Sequence, residues 1–290
     1  MSAKVLVVVV SWNAMQWIDR CLGSVANCGA KADVMVVDNS STDGTRDRIR
    51  EKFPQVKLVE SGGNLGFGAA NNIGFRYALE HGYDYVYLMN QDAWMEKNCL
   101  SRLLAAARDE FAVLSPMQKS ANGKLDPRFR RKCGKRLKMV KHIAADDTLV
   151  VKVPFVMAAH WLVDVRALKT IGGFSPAFPH YGEDDNFIDR VHWWGLSCGV
   201  VPAASAVHDR AERKTPRSKR LELKCISTVV KLSNPGNCFF GRMLWEPLAL
   251  LGMSVKNFST VPAQFIPTLV KRYPELRERR KESRKKAAFL

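Results

Sequence analysis

The stretch VLVVVVSWN, residues 5–13, decides the fold. Six apolar residues, five of them valine, run without a break and stop at Ser11, Trp12 and Asn13. The run is too short to span a membrane or to form a secretory leader's apolar core. It reads as a β-strand buried on both faces, the pattern of a strand inside a parallel sheet. The following residues repeat a strand–helix alternation. Apolar residues at helical spacing cover Trp17–Val25, and a second strand, Val34–Val37, is ended by Asp38. A helix over Thr45–Phe53 has Asp43 or Ser41 as its N-cap, and Val56–Val59 is a third strand. A helix over Ala69–Glu80 is entered through the glycine-rich Gly62–Gly68. Tyr85–Met89 is a fourth strand, and Leu100–Arg108 another helix. This alternation predicts βαβ units and an α/β fold with a mostly parallel central sheet flanked by helices.

In such sheets ligands bind beyond the carboxyl ends of the strands. Three polar groups fall there: Ser11-Trp12-Asn13, Asp38-Asn39-Ser40-Ser41 and Asn90-Gln91-Asp92. Past residue 115 the pattern breaks. Residues 117–150 are rich in Lys and Arg and read as an exposed basic insertion. Regular structure resumes at Val151–Phe155. Gly172-Gly173-Phe174 leads to the acidic cluster Glu183-Asp184-Asp185, a helix from Asn186 to Trp194, and a late strand, Val200–Val207, ending at His208. We place a boundary near residue 210, with one domain over 1–210 and a mainly helical, basic region over 211–290.

Composition bounds the partners. The chain has 290 residues, 47% of them hydrophobic, and carries 45 Lys and Arg against 28 Asp and Glu, a formal charge of +17. Collagen-like and wholly disordered classes are excluded. The positive excess sits at 119–141, 210–224 and 271–286, which predicts anionic partners met by particular surfaces. The seven cysteines include no C-x-x-C pair and read as free thiols of a reducing compartment.

Each polar group has a chemical reading beside a plainer one. Asp92, just past a buried strand, suits a divalent cation that bridges to phosphates, or caps the next helix. Asp38 suits a nucleoside hydrogen bond, or organises an Asx-rich loop. The small residues of 64–72 would let backbone N–H groups approach a phosphate or ribose, or allow a close helix contact. Glu183-Asp184-Asp185 repel one another; burial would raise one of them toward a base's pKa, or they begin an acidic helix. His208 is a competent Mn²⁺ ligand, or a core histidine.

The stretches VVVVSWNAMQWIDRCLGSV, VMVVDNSSTDGT, NLGFGAANNIGF, YLMNQDAWM, IGGFSPAFPHYGEDDNFIDRVHWWG and VVPAASAVH, in this order over residues 4–210, closely resemble the family 2 glycosyltransferases, in particular the bacterial rhamnosyltransferase-like members. The resemblance implies a GT-A fold and a single displacement with inversion at the anomeric carbon. It implies that Ser11, Asn13, Asp38, Asn64, Gly66, Asn71 and Asn90 line the site of a UDP- or dTDP-sugar donor. Asn90-Gln91-Asp92 falls on the family's D-x-D position, with Asp92 and His208 as ligands of Mn²⁺ or Mg²⁺. Asn90 departs from that pattern and leaves fewer charges on the metal. Asp184 falls on the general base, beside Glu183. Trp161, Gly173, Phe174 and Glu183 are candidates for the sugar or acceptor pocket, with a place in the core as the equal alternative for Trp161, Gly173 and Phe174. The acceptor implied is a glycan or polyprenyl-linked glycan. The basic region beyond 210 would then meet an anionic membrane surface, placing a cytoplasmic enzyme on the inner face of the membrane. Nucleic acid is not an expected partner, because the positive excess avoids the motif-bearing half. A nucleotidyltransferase would need a basic phosphate loop where residues 11–20 have none, and a non-catalytic relic would not need Glu183-Asp184.

Overall fold

The computed structural model describes residues 3–137, 148–210 and 216–290. Nine strands among them form one twisted sheet in the order β3-β2-β1-β4-β8-β6-β9-β5, with β7 paired to β9. Strands β1 (Val5–Ser11), β2 (Asp33–Asp38), β3 (Lys57–Glu60) and β4 (Tyr85–Asn90) are mutually parallel. Beyond them the sheet is mixed. β8 (His160–Asp164) runs antiparallel between β4 and β6 (Phe111–Lys119), and β6 is parallel to β9 (Ser197–His208). The short β5 (Ala93–Met95) and β7 (Val151–Val153) both run antiparallel to β9.

The valine run of β1 is explained by its two faces. Leu6 and Val8 join one core with α3 (Gly66–Glu80), α6 (Val165–Ile171) and α7 (Glu183–Trp193). Val5, Val7 and Val9 join the other with α1 (Ile18–Gly23), α2 (Thr45–Lys52) and α4 (Cys99–Ala105). Successive side chains point to opposite faces, so a strand covered on both needs apolar residues throughout. Gly74 lets α3 lie directly on β1, since a Cβ there would come within 2.6 Å of a Val8 methyl.

Two local expectations are corrected. Residue 44, a glycine at φ 86°, is the N-cap of α2. Asp43 instead accepts from the Thr45 N–H (3.1 Å) and hydroxyl, one position further out. Residues 117–150 are not simply an exposed insertion: β6 runs through Lys119, and α5 (Pro127–Leu137) buries Phe129, Cys133 and Leu137 in the core. Its basic residues occupy the outer face, and this hid the apolar stripe from a reading by composition. Residues 138–147 of that segment, and 211–215 at the expected boundary, lie outside the described residues.

Past residue 216 come α8 (Arg217–Ser233), α9 (Phe239–Asn257), α10 (Val261–Lys271) and α11 (Tyr273–Glu282). Cys225, Val229, Leu232, Leu250, Leu269 and Leu276 of these helices close a third core around Ala177 and Phe178 of the preceding loop. The last residues dock as well: Gly173 donates to the Ala288 carbonyl at 2.8 Å, and Asn72 to that of Phe289 at 3.2 Å.

Phe129→Ala is expected to lower unfolding stability by about 3–5 kcal/mol, the usual cost of emptying a buried phenylalanine site. Urea denaturation measures it, and a loss below about 1 kcal/mol would return α5 to the status of a surface insertion.

Candidate active site

The sheet register brings the polar strand ends to one level. Ser11 pairs with Asp38, Val10 with Asn90, Met89 with His160 and Ala93 with His208. Because β8 is antiparallel to β4, its first residues stand beside the last of β4.

On the β1–β2 side, Asp38 is buried and its carboxylate is already well supplied with donors. It accepts from the Ser11 hydroxyl (2.7 Å), the Ser41 hydroxyl (2.6 Å) and the Ser41 N–H (2.8 Å). The neighbouring loops are cross-tied. Asn13, at φ 50°, donates its N–H to Ser41 Oγ and accepts from the Thr42 N–H, both at 2.9 Å. Asn39 Oδ1 accepts from Leu65 N–H at 3.3 Å. Gln91 brackets the Trp12 backbone, accepting its N–H at 2.6 Å and donating to its carbonyl at 3.1 Å. The three loops are thereby held before any ligand arrives, and the Trp12 ring is left exposed on their rim.

Asn64 is exposed and accepts from the Gly66 N–H at 3.0 Å. Gly66 answers a packing demand: a Cβ there would lie 2.3 Å from the Pro179 carbonyl oxygen. Asn71 is buried and donates to Phe67 O within its own helix at 2.9 Å.

At the β4 end, Asp92 Oδ1 lies 3.3 Å from His208 Nε2, both side chains buried. Asn90 Nδ2 is 3.4 Å from the same nitrogen, and Asn90 Oδ1 is buried with no hydrogen-bond partner among the described residues. The Asp92 carboxylate and the His208 imidazole are ligand types for Mn²⁺ or Mg²⁺, and Arg210 Nε lies 3.4 Å from the same His208 nitrogen. No cluster of three or more acidic, His or Cys ligands occurs among the described residues. Behind the pair, His160 is held by Tyr87 OH (2.8 Å) and the Val207 carbonyl (3.0 Å). Burial pushes His160 down to about 3, so it places no charge beside His208.

The acidic cluster forms the first turn of α7, three residues earlier than the sequence suggests, behind Gly182 at φ 88°. The backbone amides of Asp185 and Ala158 face the Asp184 carboxylate, while burial and the Asp185 charge raise its pKa. The next residue, Ala159, accepts the Asn90 N–H at 3.1 Å. Asp184 and the Asn90–Asp92 turn thus flank one short segment, residues 158–159. Burial, then the charge of Asp184, raises Glu183, whose Oε2 has no partner among the described residues.

Three expected pocket residues lie elsewhere. Trp161 and Phe174 are in the core, stacked at 6.1 Å between ring centroids, with Phe187 5.0 Å from Phe174. Gly173 is covered by Asn72 and Leu290. Their side of the 171–174 turn faces inward because Asn72 clamps it, accepting from Phe174 N–H at 2.7 Å and donating to Phe174 O at 2.9 Å. Sequence reasoning did not single out Asn39, Gln91 or Asn72, each an isolated amide whose partners are backbone atoms of distant segments. Their position within the motif stretches was the available signal.

This sheet, with its polar strand ends gathered at one edge, is the GT-A fold of glycosyltransferases. The sequence profile described as Glycosyl transferase family 2 matches residues 6–172, and the chain belongs to that family. It is 25% identical over 240 residues to an N-acetylglucosaminyl-diphospho-decaprenol L-rhamnosyltransferase of Mycobacterium tuberculosis, covering 71% of this chain and 76% of that one. It is 35% identical over 115 residues to an undecaprenyl-phosphate mannosyltransferase of Micrococcus luteus, covering 38% of this chain and about half (47%) of the relative. Among solved structures, the Pyrobaculum calidifontis mannosyltransferase PcManGT in complex with GDP-Man and Mn²⁺ superposes with a TM-score of 0.63 at 19% identity, over 97% of this chain and 85% of that one. TarS of S. aureus in complex with UDP gives 0.56 at 17% identity, over 83% and 68%.

The raised pKa of Glu183 sets a sign. Below its unfolded-state value, near 4.3, both states hold the proton. Above it the unfolded chain sheds a proton that the folded chain retains, so stability falls as pH rises toward the folded value. Glu183→Gln is expected to raise the melting temperature relative to the parent at pH 7.5 and to change it little at pH 4. An equal shift at both pH values would show that Glu183 does not hold its proton in the folded state.

Proposed function

We propose that the chain is an inverting glycosyltransferase that moves a sugar from a nucleoside diphosphate to a hydroxyl of a polyprenyl-linked glycan. The observation that carries the proposal is the proximity of the two acidic centres: Ala158 faces Asp184, and Ala159 accepts from Asn90. The donor's nucleoside would lie against the cross-tied loops of Ser11, Asn13, Asp38 and Asn64. A divalent cation held by Asp92 and His208 would supply positive charge to the departing diphosphate.

Asp184 then acts on the acceptor. Its raised pKa suits it to take the proton of the attacking hydroxyl. A base acting directly on the acceptor hydroxyl corresponds to a single displacement with inversion. One relative's name supports the acceptor class, an N-acetylglucosaminyl-diphospho-decaprenol, and another's, an undecaprenyl phosphate, supports the polyprenyl carrier alone. Such an acceptor would bring the enzyme to the inner membrane surface as a peripheral protein. No described helix is long and apolar enough to cross a membrane.

Asp184→Asn is expected to lower turnover by about a hundredfold or more, with donor binding nearly unchanged, as for loss of a general base. The parent's rate should fall as pH drops through the raised Asp184 value, above the ordinary carboxylate range, and the variant should lose that acid limb. Turnover within a few-fold of the parent would remove Asp184 from the role. Asp92→Asn is expected to abolish the extra thermal stabilisation that a nucleotide sugar gains on adding Mn²⁺. If that gain survives, Asp92 is not a metal ligand.

A further inference from the structure

Helix α9 presents an apolar surface that the core does not use. Phe240, Leu244, Trp245, Leu248, Leu251 and Val255 are all exposed, from 47% at Leu251 to 76% at Leu244 and Val255, and Phe258 just past the helix end is 97% exposed. Within α9 they recur mainly at intervals of three and four from Phe240 to Val255, so they form a stripe about 22 Å long at 1.5 Å per residue. Soluble proteins seldom leave so large a continuous apolar surface without an occupant.

The charges around the stripe select the occupant. The one acid of α9, Glu246, is fully buried and tied to Lys231 (3.1 Å) and Arg242 (3.0 Å), so it adds no negative charge to the outer face. Arg277 lies over the Phe240 ring at 5.6 Å, at one end of the stripe. Arg217 donates to Asn257 O at 2.8 Å, and Lys256 is exposed, at the other. Between residues 216 and 290 there are sixteen Lys and Arg against five Glu and no Asp. An apolar row with an indole on it and cations at both ends fits the interface of an anionic lipid monolayer, where acyl chains take the row and headgroups take the cations.

We propose that α9 is the membrane-docking element, lying in the plane of an anionic bilayer with Leu244, Trp245, Leu248 and Val255 inserted below the headgroups. This deepens the polyprenyl-linked acceptor reading, on which its purpose rests. It differs from attachment by the basic segments alone, because apolar insertion is not screened by salt whereas headgroup attraction is.

The test is co-sedimentation of the full chain with phosphatidylglycerol/phosphatidylcholine vesicles at about 0.1 M and about 0.5 M NaCl, the higher salt roughly halving the screening length. The parent is compared with the triple variant Leu244→Ser, Leu248→Ser, Val255→Ser. These sites are exposed, and circular dichroism melting checks that the variant is folded. The parent is expected to bind, with part of the binding surviving high salt. The variant's partition coefficient should fall about tenfold or more at both salts. No parent binding at low salt, or equal binding by the variant, overturns the proposal. So does light scattering that finds a parent dimer and a monomeric variant, for the stripe would then serve a second copy. Thermal shift with UDP- or GDP-sugar and Mn²⁺, run on both proteins, separates the two readings. A retained shift without vesicle binding leaves the transferase standing and removes only the α9 proposal. Vesicle binding with no shift by any nucleotide sugar does the reverse.

Discussion

The site depends on one topological fact: β8 enters the sheet antiparallel beside the carboxyl end of β4. A parallel neighbour would have brought its own carboxyl end there, as β1 and β2 do. An antiparallel one brings its beginning, and with it the lead-in residues 158–159. The hydrogen bond from Asn90 N–H to Ala159 O is the junction. On one side of it lies the Asp92–His208 pair, and on the other Ala158 faces Asp184. Asn90 and Ala159, about seventy positions apart, become neighbours because two strands of opposite direction share an edge.

The buried acids of this molecule are treated in two ways. Asp38 accepts three hydrogen bonds from Ser11 and Ser41, and Glu246 has two cationic partners. Both are compensated as buried charges must be. Glu183 and Asp184 are compensated less: Glu183 Oε2 has no hydrogen-bond partner among the described residues, Asp184 accepts from the Asp185 N–H at 2.8 Å, and Lys132 pairs with Asp185 at 3.5 Å. The helix N-terminus favours negative charge there, but burial outweighs it and raises both. Such under-compensation costs stability. The contrast is between Asp38, held by three hydrogen bonds, and Asp184, whose pKa burial pushes upward.

The parallel half of the sheet was legible because β1 is buried on both faces and its valine run has no other reading. The strand-end groups followed from the same logic, and His208 and Asp92 were both read there. What could not be read was direction and depth. Nothing in His160–Asp164 distinguishes antiparallel from parallel insertion. Trp161 and Phe174 have a sequence context that is the same whether they face in or out; the Asn72 clamp decides it for Phe174, and Trp161 packs inward from the buried β8. The α5 stripe was masked by its basic outer face. The acidic turn of α7 begins at Glu183 because Gly182 supplies a positive φ, while the sequence alone suggested that helix starts after the acids.

The C-terminal helices bear on the chemistry more directly than their composition suggests. A Cβ on Gly182 would meet Phe178, Val230 and Ile226 at 3.0–3.1 Å, so α8 rests against the turn that launches α7. Phe178 belongs to the same third core as Leu250 of α9 and Leu269 of α10. The turn that places Asp184 is therefore seated on the bundle whose outer side carries the α9 stripe. A close-packed core transmits displacement rather than absorbing it. The basic, apolar-faced helices thus support the turn that carries Glu183 and Asp184.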